Sequence, residues 1–151
     1  MLPKIVEKHS ETTVDVAGIV HRILKHLPSR TINGLLEVII LDKNDSHSAF
    51  GCYRQNAGRI ELYLDGITLW QPWLLKKTYI FPYLTIGMVL GHEIDHHVNR
   101  DKPEIEKEEA AETNWFTYVY PSLGPFKPFV RFFGWVALFF RKTKAGSVGN
   151  E

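Results

Sequence analysis

The stretch GMVLGHEIDHHVNR, residues 87 to 100, constrains this chain more than any other. Its first turn is apolar, and then His92, Glu93, Asp95, His96 and His97 arrive within six positions. Burying that many ionisable groups costs free energy unless they are paired or bound to something. HEIDH, residues 92 to 96, matches H-E-x-x-H. On a helix, positions i and i+4 share one face, so His92 and His96 can present two imidazoles to one metal ion. Glu93 projects at a neighbouring angle, where it can reach a metal-bound water without being a ligand. Ile86, Leu90 and Ile94 form a separate stripe for the core. Catalytic zinc sites use three protein ligands and leave a fourth position for water, so a third ligand is required.

The segment from 103 to about 120 reads as the next helix and offers Glu104, Glu106, Glu108, Glu109 and Glu112. NRDKP predicts a turn near Asp101. Antiparallel packing about that turn sets His96 opposite position 106 and His92 opposite 110, so 108 lies level with the gap between them. Helical phase agrees: Ile105, Glu108, Glu112, Trp115 and Val119 form one stripe, apolar except for two carboxylates. The stripe Glu106, Glu109, Thr113, Phe116, Tyr120 starts more polar and reads as facing outward near the turn. Glu108 is therefore the predicted third ligand. Glu112, one turn on, is placed to hold the other ring nitrogen of His92. Glu104, Glu106 and Glu109 read as acids that favour a helix N-terminus.

The rest of the chain sets the frame. With 151 residues and 44% hydrophobic content, it is sized for one compact domain, 1 to 151. A net charge of +1 gives no signal for nucleic acid. The single Cys52 excludes an internal disulfide and fits a reducing compartment. MLPKIVEKHSETT lacks the apolar core of a secretory signal, and no apolar run approaches the ~20 residues of a transmembrane segment. A cytoplasmic location is expected. Residues 14 to 27 read as a helix, with Val16, Ile19, Val20, Ile23 and Leu27 at helical spacing. LLEVIILD (35 to 42) suits a buried strand, and AFGCYRQ (49 to 55) with GRIELYLD (58 to 65) suggests a hairpin. In the second of these, Ile60, Leu62 and Leu64 are expected on the core and Glu61, Tyr63 and Asp65 in solvent. GITLWQPWLLKKTYIFP (66 to 82) carries no clear period. The helix bearing HEIDH starts near Pro82 and runs to about Asn99. A last apolar helix covers about 126 to 141, and residues 1 to 12 and 143 to 151 read as flexible. The expected class is α+β, with a small, mostly antiparallel sheet.

HEIDH followed at short distance by Glu108-x-x-Ala111-Glu112 resembles the gluzincin branch of zinc metallopeptidases, particularly its smallest single-domain members. The resemblance covers roughly residues 35 to 120. It implies a zincin-like fold, Zn²⁺ on His92, His96 and Glu108, and Glu93 as general base in peptide hydrolysis. It also implies an edge strand lining the cleft above the metal. AFGCYRQ is the natural candidate, and an extended peptide or protein substrate could add to it. Tyr118, Tyr120 and His97 are candidates for stabilising an oxyanion, unranked by sequence. Two other readings are open. One is a non-catalytic, regulatory or scaffold domain that binds zinc structurally, against which Glu93 argues. The other is peripheral membrane contact through PFKPFVRFFGWVALFFRKTK, where an aromatic, basic helix could lie in an interface.

Overall fold

The structure, a computed structural model, describes residues 1–10, 12–43, 50–69, 80–128 and 130. The described elements run β1 (Lys4–Lys8), α1 (Val16–Lys25), β2 (Glu37–Leu41), β3 (Gly51–Arg54), β4 (Arg59–Tyr63), α2 (Leu64–Leu69), α3 (Ile80–Val98) and α4 (Glu104–Val119). This is an α+β arrangement, as the order of sequence patterns indicates.

The sheet has the order β1-β2-β4-β3, and it is mixed rather than mostly antiparallel. β1 pairs parallel with β2 from Lys4↔Glu37 to Lys8↔Leu41, and β2 pairs parallel with β4 from Glu37↔Arg59 to Leu41↔Tyr63. Only the β3–β4 hairpin is antiparallel. The cause lies in KIVEK, inside the segment expected to be flexible: it forms β1, and α1 carries the chain back across the sheet so that β2 can run alongside it. Parallel neighbours need such a crossover. The continuous apolar run of β2 carried the signal, since a strand flanked by parallel partners is buried on both faces. In β4, Ile60 and Leu62 are fully buried as expected. Glu61 and Tyr63 are buried too, contrary to the alternation. The Glu61 carboxylate accepts hydrogen bonds from Arg54 Nε at 3.2 Å and Tyr63 Oη at 2.7 Å, and Arg59 Nη2 lies 2.8 Å away. Leu64, expected to continue the strand, instead opens α2.

The core lies between the sheet and the helices. Asp15 caps α1, its carboxylate accepting from the Gly18 N–H at 2.8 Å. From there Ile19, Val20, Ile23 and Leu24 join Val38, Ile40, Ile60 and Leu62 in one buried cluster. Ile86, Leu90 and Ile94 of α3 complete this layer, each side chain contributing about 1.5–3 kcal/mol on burial. Helix α4 folds back against α3 after a turn in which Asn99 N–H bonds Asp95 O and Lys102 N–H bonds Asn99 O. Ile105, placed on the inward stripe by phase, is instead 77% exposed. Residues 129 and 131 to 141 of the last expected helix, residues 70 to 79 (with Trp70, Pro72 and Trp73) and residues 44 to 49 lie outside the described residues. Among the described residues no helix is long and apolar enough to cross a membrane.

The α3–α4 approach is unusually close at Gly91. A Cβ there would lie 2.6 Å from the Trp115 carbonyl oxygen, and one at Gly87 would lie 2.9 Å from Val119 Cγ1. A backbone carbonyl cannot swing aside as a side chain can. Gly91→Val should therefore lower the unfolding free energy by about 2–3 kcal/mol. A urea titration checks this, and an unchanged midpoint would show that the helices have room to spare.

Candidate metal centre

Helix α3 presents His92 and His96 on one face, one turn apart, with ring centroids 4.7 Å apart and planes at 73°. Their Nε2 atoms are 3.0 Å apart. Glu108, from α4, straddles the pair: Oε2 is 3.5 Å from His92 Nε2 and Oε1 is 3.4 Å from His96 Nε2. The antiparallel turn thus brings position 108 level with the gap between the histidines. Three ligand-capable atoms of these residues lie within 4.8 Å of one another.

These distances suit one small cation. Four ligands at about 2.0–2.1 Å in a tetrahedron stand about 3.3 Å from each other, close to the 3.0 Å between the two Nε2 atoms and to the 3.5 and 3.4 Å from each imidazole to a Glu108 oxygen. The donor set, two imidazoles and a carboxylate, also suits zinc or a similar transition ion. The His92 and His96 side chains are 27% and 13% exposed and that of Glu108 is 53% exposed, so the group opens onto a cleft. Burial, and then the neighbouring His96, hold the His92 pKa below the ordinary imidazole value, against the pull of Glu108, Glu112 and Asp95. His92 is therefore neutral near pH 7, with a lone pair to offer.

Glu93 stands beside the group but outside it. It is buried, and burial lifts its pKa to about 7; the Tyr53 backbone N–H works against this and the charge of Glu108 adds to it. Strand β3 lies directly over it. A Cβ on Gly51 would come within 3.0 Å of Glu93 Oε1 and 2.8 Å of Val89 Cγ1, so only glycine lets the strand come this near. Among the described strands β3 is at the edge of the sheet, and it borders the cleft. Two depressions meet at Gly51, His92 and Glu93. One, of about 330 Å³, is polar and continues along Tyr53, Gln55, Glu104 and Lys107. The other, of about 350 Å³, is largely apolar and is walled by Phe50, Met88, Val89 and Trp115.

The remaining sequence candidates are placed elsewhere. Glu112 lines the apolar depression with His92, with no hydrogen bond between the two among the described residues. His97 is buried; its Nε2 is 3.0 Å from the Asn33 carbonyl oxygen and so carries the proton, which leaves Nδ1 to accept from the Tyr53 hydroxyl at 2.9 Å. The Tyr118 hydroxyl donates to Asp95 at 2.7 Å, and the Tyr120 ring packs on Phe116 beneath Lys127. None of the three is aimed at the His92–His96–Glu108 group. Cys52 lines the polar depression, and burial pushes its thiol pKa up, against a nucleophilic role. Gly51 and Tyr53 were not singled out by sequence reasoning, although a glycine inside a strand signals a close backbone approach.

A comparison with known protein families finds none that matches, and neither curated proteins nor solved structures give a match.

Glu108 and Glu109 are neighbours in sequence but differ in direction. Removing Glu108 with Ala should weaken uptake of a divalent transition ion to the residual, still measurable affinity of the two histidines, whereas Glu109→Ala should bind as wild type and change stability by no more than ~0.5 kcal/mol. Isothermal titration of both variants decides it. Loss of binding in Glu109→Ala with retention in Glu108→Ala would refute the assignment.

Proposed function

We propose that this chain is a zinc-dependent metallopeptidase of the gluzincin type, with a zincin-like fold. The observation that carries the proposal is the convergence of His92 Nε2, His96 Nε2 and the Glu108 carboxylate at the mouth of a cleft, beside a buried glutamate that is not one of them. A structural zinc site has no use for that glutamate or for an open fourth position. Zn²⁺ held there would supply a Lewis acid that polarises a peptide carbonyl and lowers the pKa of a water toward ~7.

The protein's own groups do the rest. Glu93, with a pKa of about 7, is poised to accept a proton on its carboxylate and to deliver it to the leaving amine. The edge of β3 offers backbone groups along the cleft to an extended peptide, which would lie across Gly51 and Glu93. Such a peptide would run from one depression to the other. On one side Phe50, Met88, Val89 and Trp115 favour a bulky apolar side chain; on the other, Gln55, Glu104 and Lys107 favour a polar one.

A second reading, a non-catalytic zinc-binding domain with a regulatory or scaffold role, has one observation in its favour. Tyr118, Tyr120 and His97 are all committed to other partners, so none of the expected oxyanion donors faces the cleft. Glu93 separates the two readings. Glu93→Gln should retain one zinc per chain and lose cleavage of a mixed peptide library, in which wild type prefers sites next to Phe or Leu. Mass spectrometry of the digest and metal analysis give both readouts. A folded, zinc-loaded wild type that cleaves nothing in the library would favour the non-catalytic reading.

A further inference from the structure

Asp95 sits between His92 and His96 in sequence, is fully buried, and is not part of the metal-capable group. Three side-chain donors converge on it. Asn99 Nδ2 donates to Oδ2 at 2.7 Å, one turn along the same helix. Tyr118 Oη donates to Oδ1 at 2.7 Å, and Asn114 Nδ2 donates to the same oxygen at 3.2 Å. Asn114 and Tyr118 are one turn apart on α4, so both reach across from one face of that helix. A carboxylate can be buried only when its oxygens are satisfied in this way.

The consequence concerns Glu108. It lies six residues before Asn114, about 9 Å nearer the turn and about 120° around the axis. A roll of α4, or a slip by one residue, would carry Glu108 away from the histidines. The close contacts at Gly91 and Gly87 set how near the helices come. Those contacts are steric and limit the separation of the helices, whereas hydrogen bonds to Asp95 are directional and hold the roll.

We propose that Asp95 is the positioning residue of the metal centre: by holding Asn114 and Tyr118 it fixes the roll and register of α4 that deliver Glu108 to His92 and His96. This rests on the metal-site reading above. Asp95 is not one of the ligand-capable residues and positions Glu108 through α4.

A double-mutant cycle on the full chain tests it. Zinc affinity is measured by competition with a chromophoric chelator for wild type, Tyr118→Phe, Asn114→Ala, Glu108→Ala and the two double variants that carry Glu108→Ala. Tyr118→Phe should weaken zinc binding by roughly 10- to 100-fold, with an unchanged circular dichroism spectrum. In the Glu108→Ala background the same change should have no further effect, because the ligand being positioned is already gone. Should Tyr118→Phe fail to fold, Asn114→Ala carries the same comparison through the longer hydrogen bond. Equal losses in both backgrounds would overturn the proposal, as would wild-type affinity in both single variants. If wild type itself takes up no zinc, the metal-site reading fails and this proposal with it; failure of the proposal alone leaves wild-type affinity intact.

Discussion

The backbone contact between Gly91 and Trp115 is the constraint on which the rest of the site depends. Helix α3 carries two imidazoles and a buried glutamate, and helix α4 carries one carboxylate that must meet them. Side chains of ordinary length would hold the helix axes 8–10 Å apart, and the glycines at 87 and 91 remove the side chains that would prop them open. With the axes drawn together, Glu108 spans the gap to both histidines while remaining half in solvent. The turn from Asn99 to Pro103 then returns the chain so that Glu108 of α4 stands level with them.

Electrostatics give the cluster its chemical character. Burial, and then the nearby His96, hold the His92 pKa below the ordinary imidazole value. Glu93 is driven the other way, toward holding a proton near pH 7, by the same burial and by the negative charge of Glu108. Two imidazoles, a solvent-facing carboxylate and a weak buried acid form a set that suits a cation better than they suit one another. Strand β3 closes the arrangement from above, with Gly51 admitting the Glu93 carboxylate to within contact of its backbone.

Much of this was legible in the sequence, because helical phase is a strict rule. The spacing of His92 and His96 and the stripe through Glu108 predicted which groups would meet, and the mirror about Asp101 predicted the level at which they do. The core stripe of Ile86, Leu90 and Ile94 followed from the same periodicity. What escaped was information that a single strand or loop does not carry. KIVEK is too short and too charged to declare itself a strand until α1 returns the chain beside it, and so the sheet read as mostly antiparallel. Glu61 and Tyr63 alternate as a solvent face should, yet Arg54 and Arg59 make burial of the acid tolerable. His97, Tyr118 and Tyr120 are polar and adjacent to the motif, but their partners, Tyr53, Asn33, Asp95 and Lys127, are settled only by three-dimensional packing.

The metal centre is the central claim, and anomalous X-ray diffraction at the zinc edge from crystals of the zinc-loaded protein tests it most directly. The expected result is a single strong anomalous peak about 2.0–2.2 Å from His92 Nε2, His96 Nε2 and a Glu108 oxygen. A map with no peak between these residues, or with its zinc held by other side chains, would contradict it.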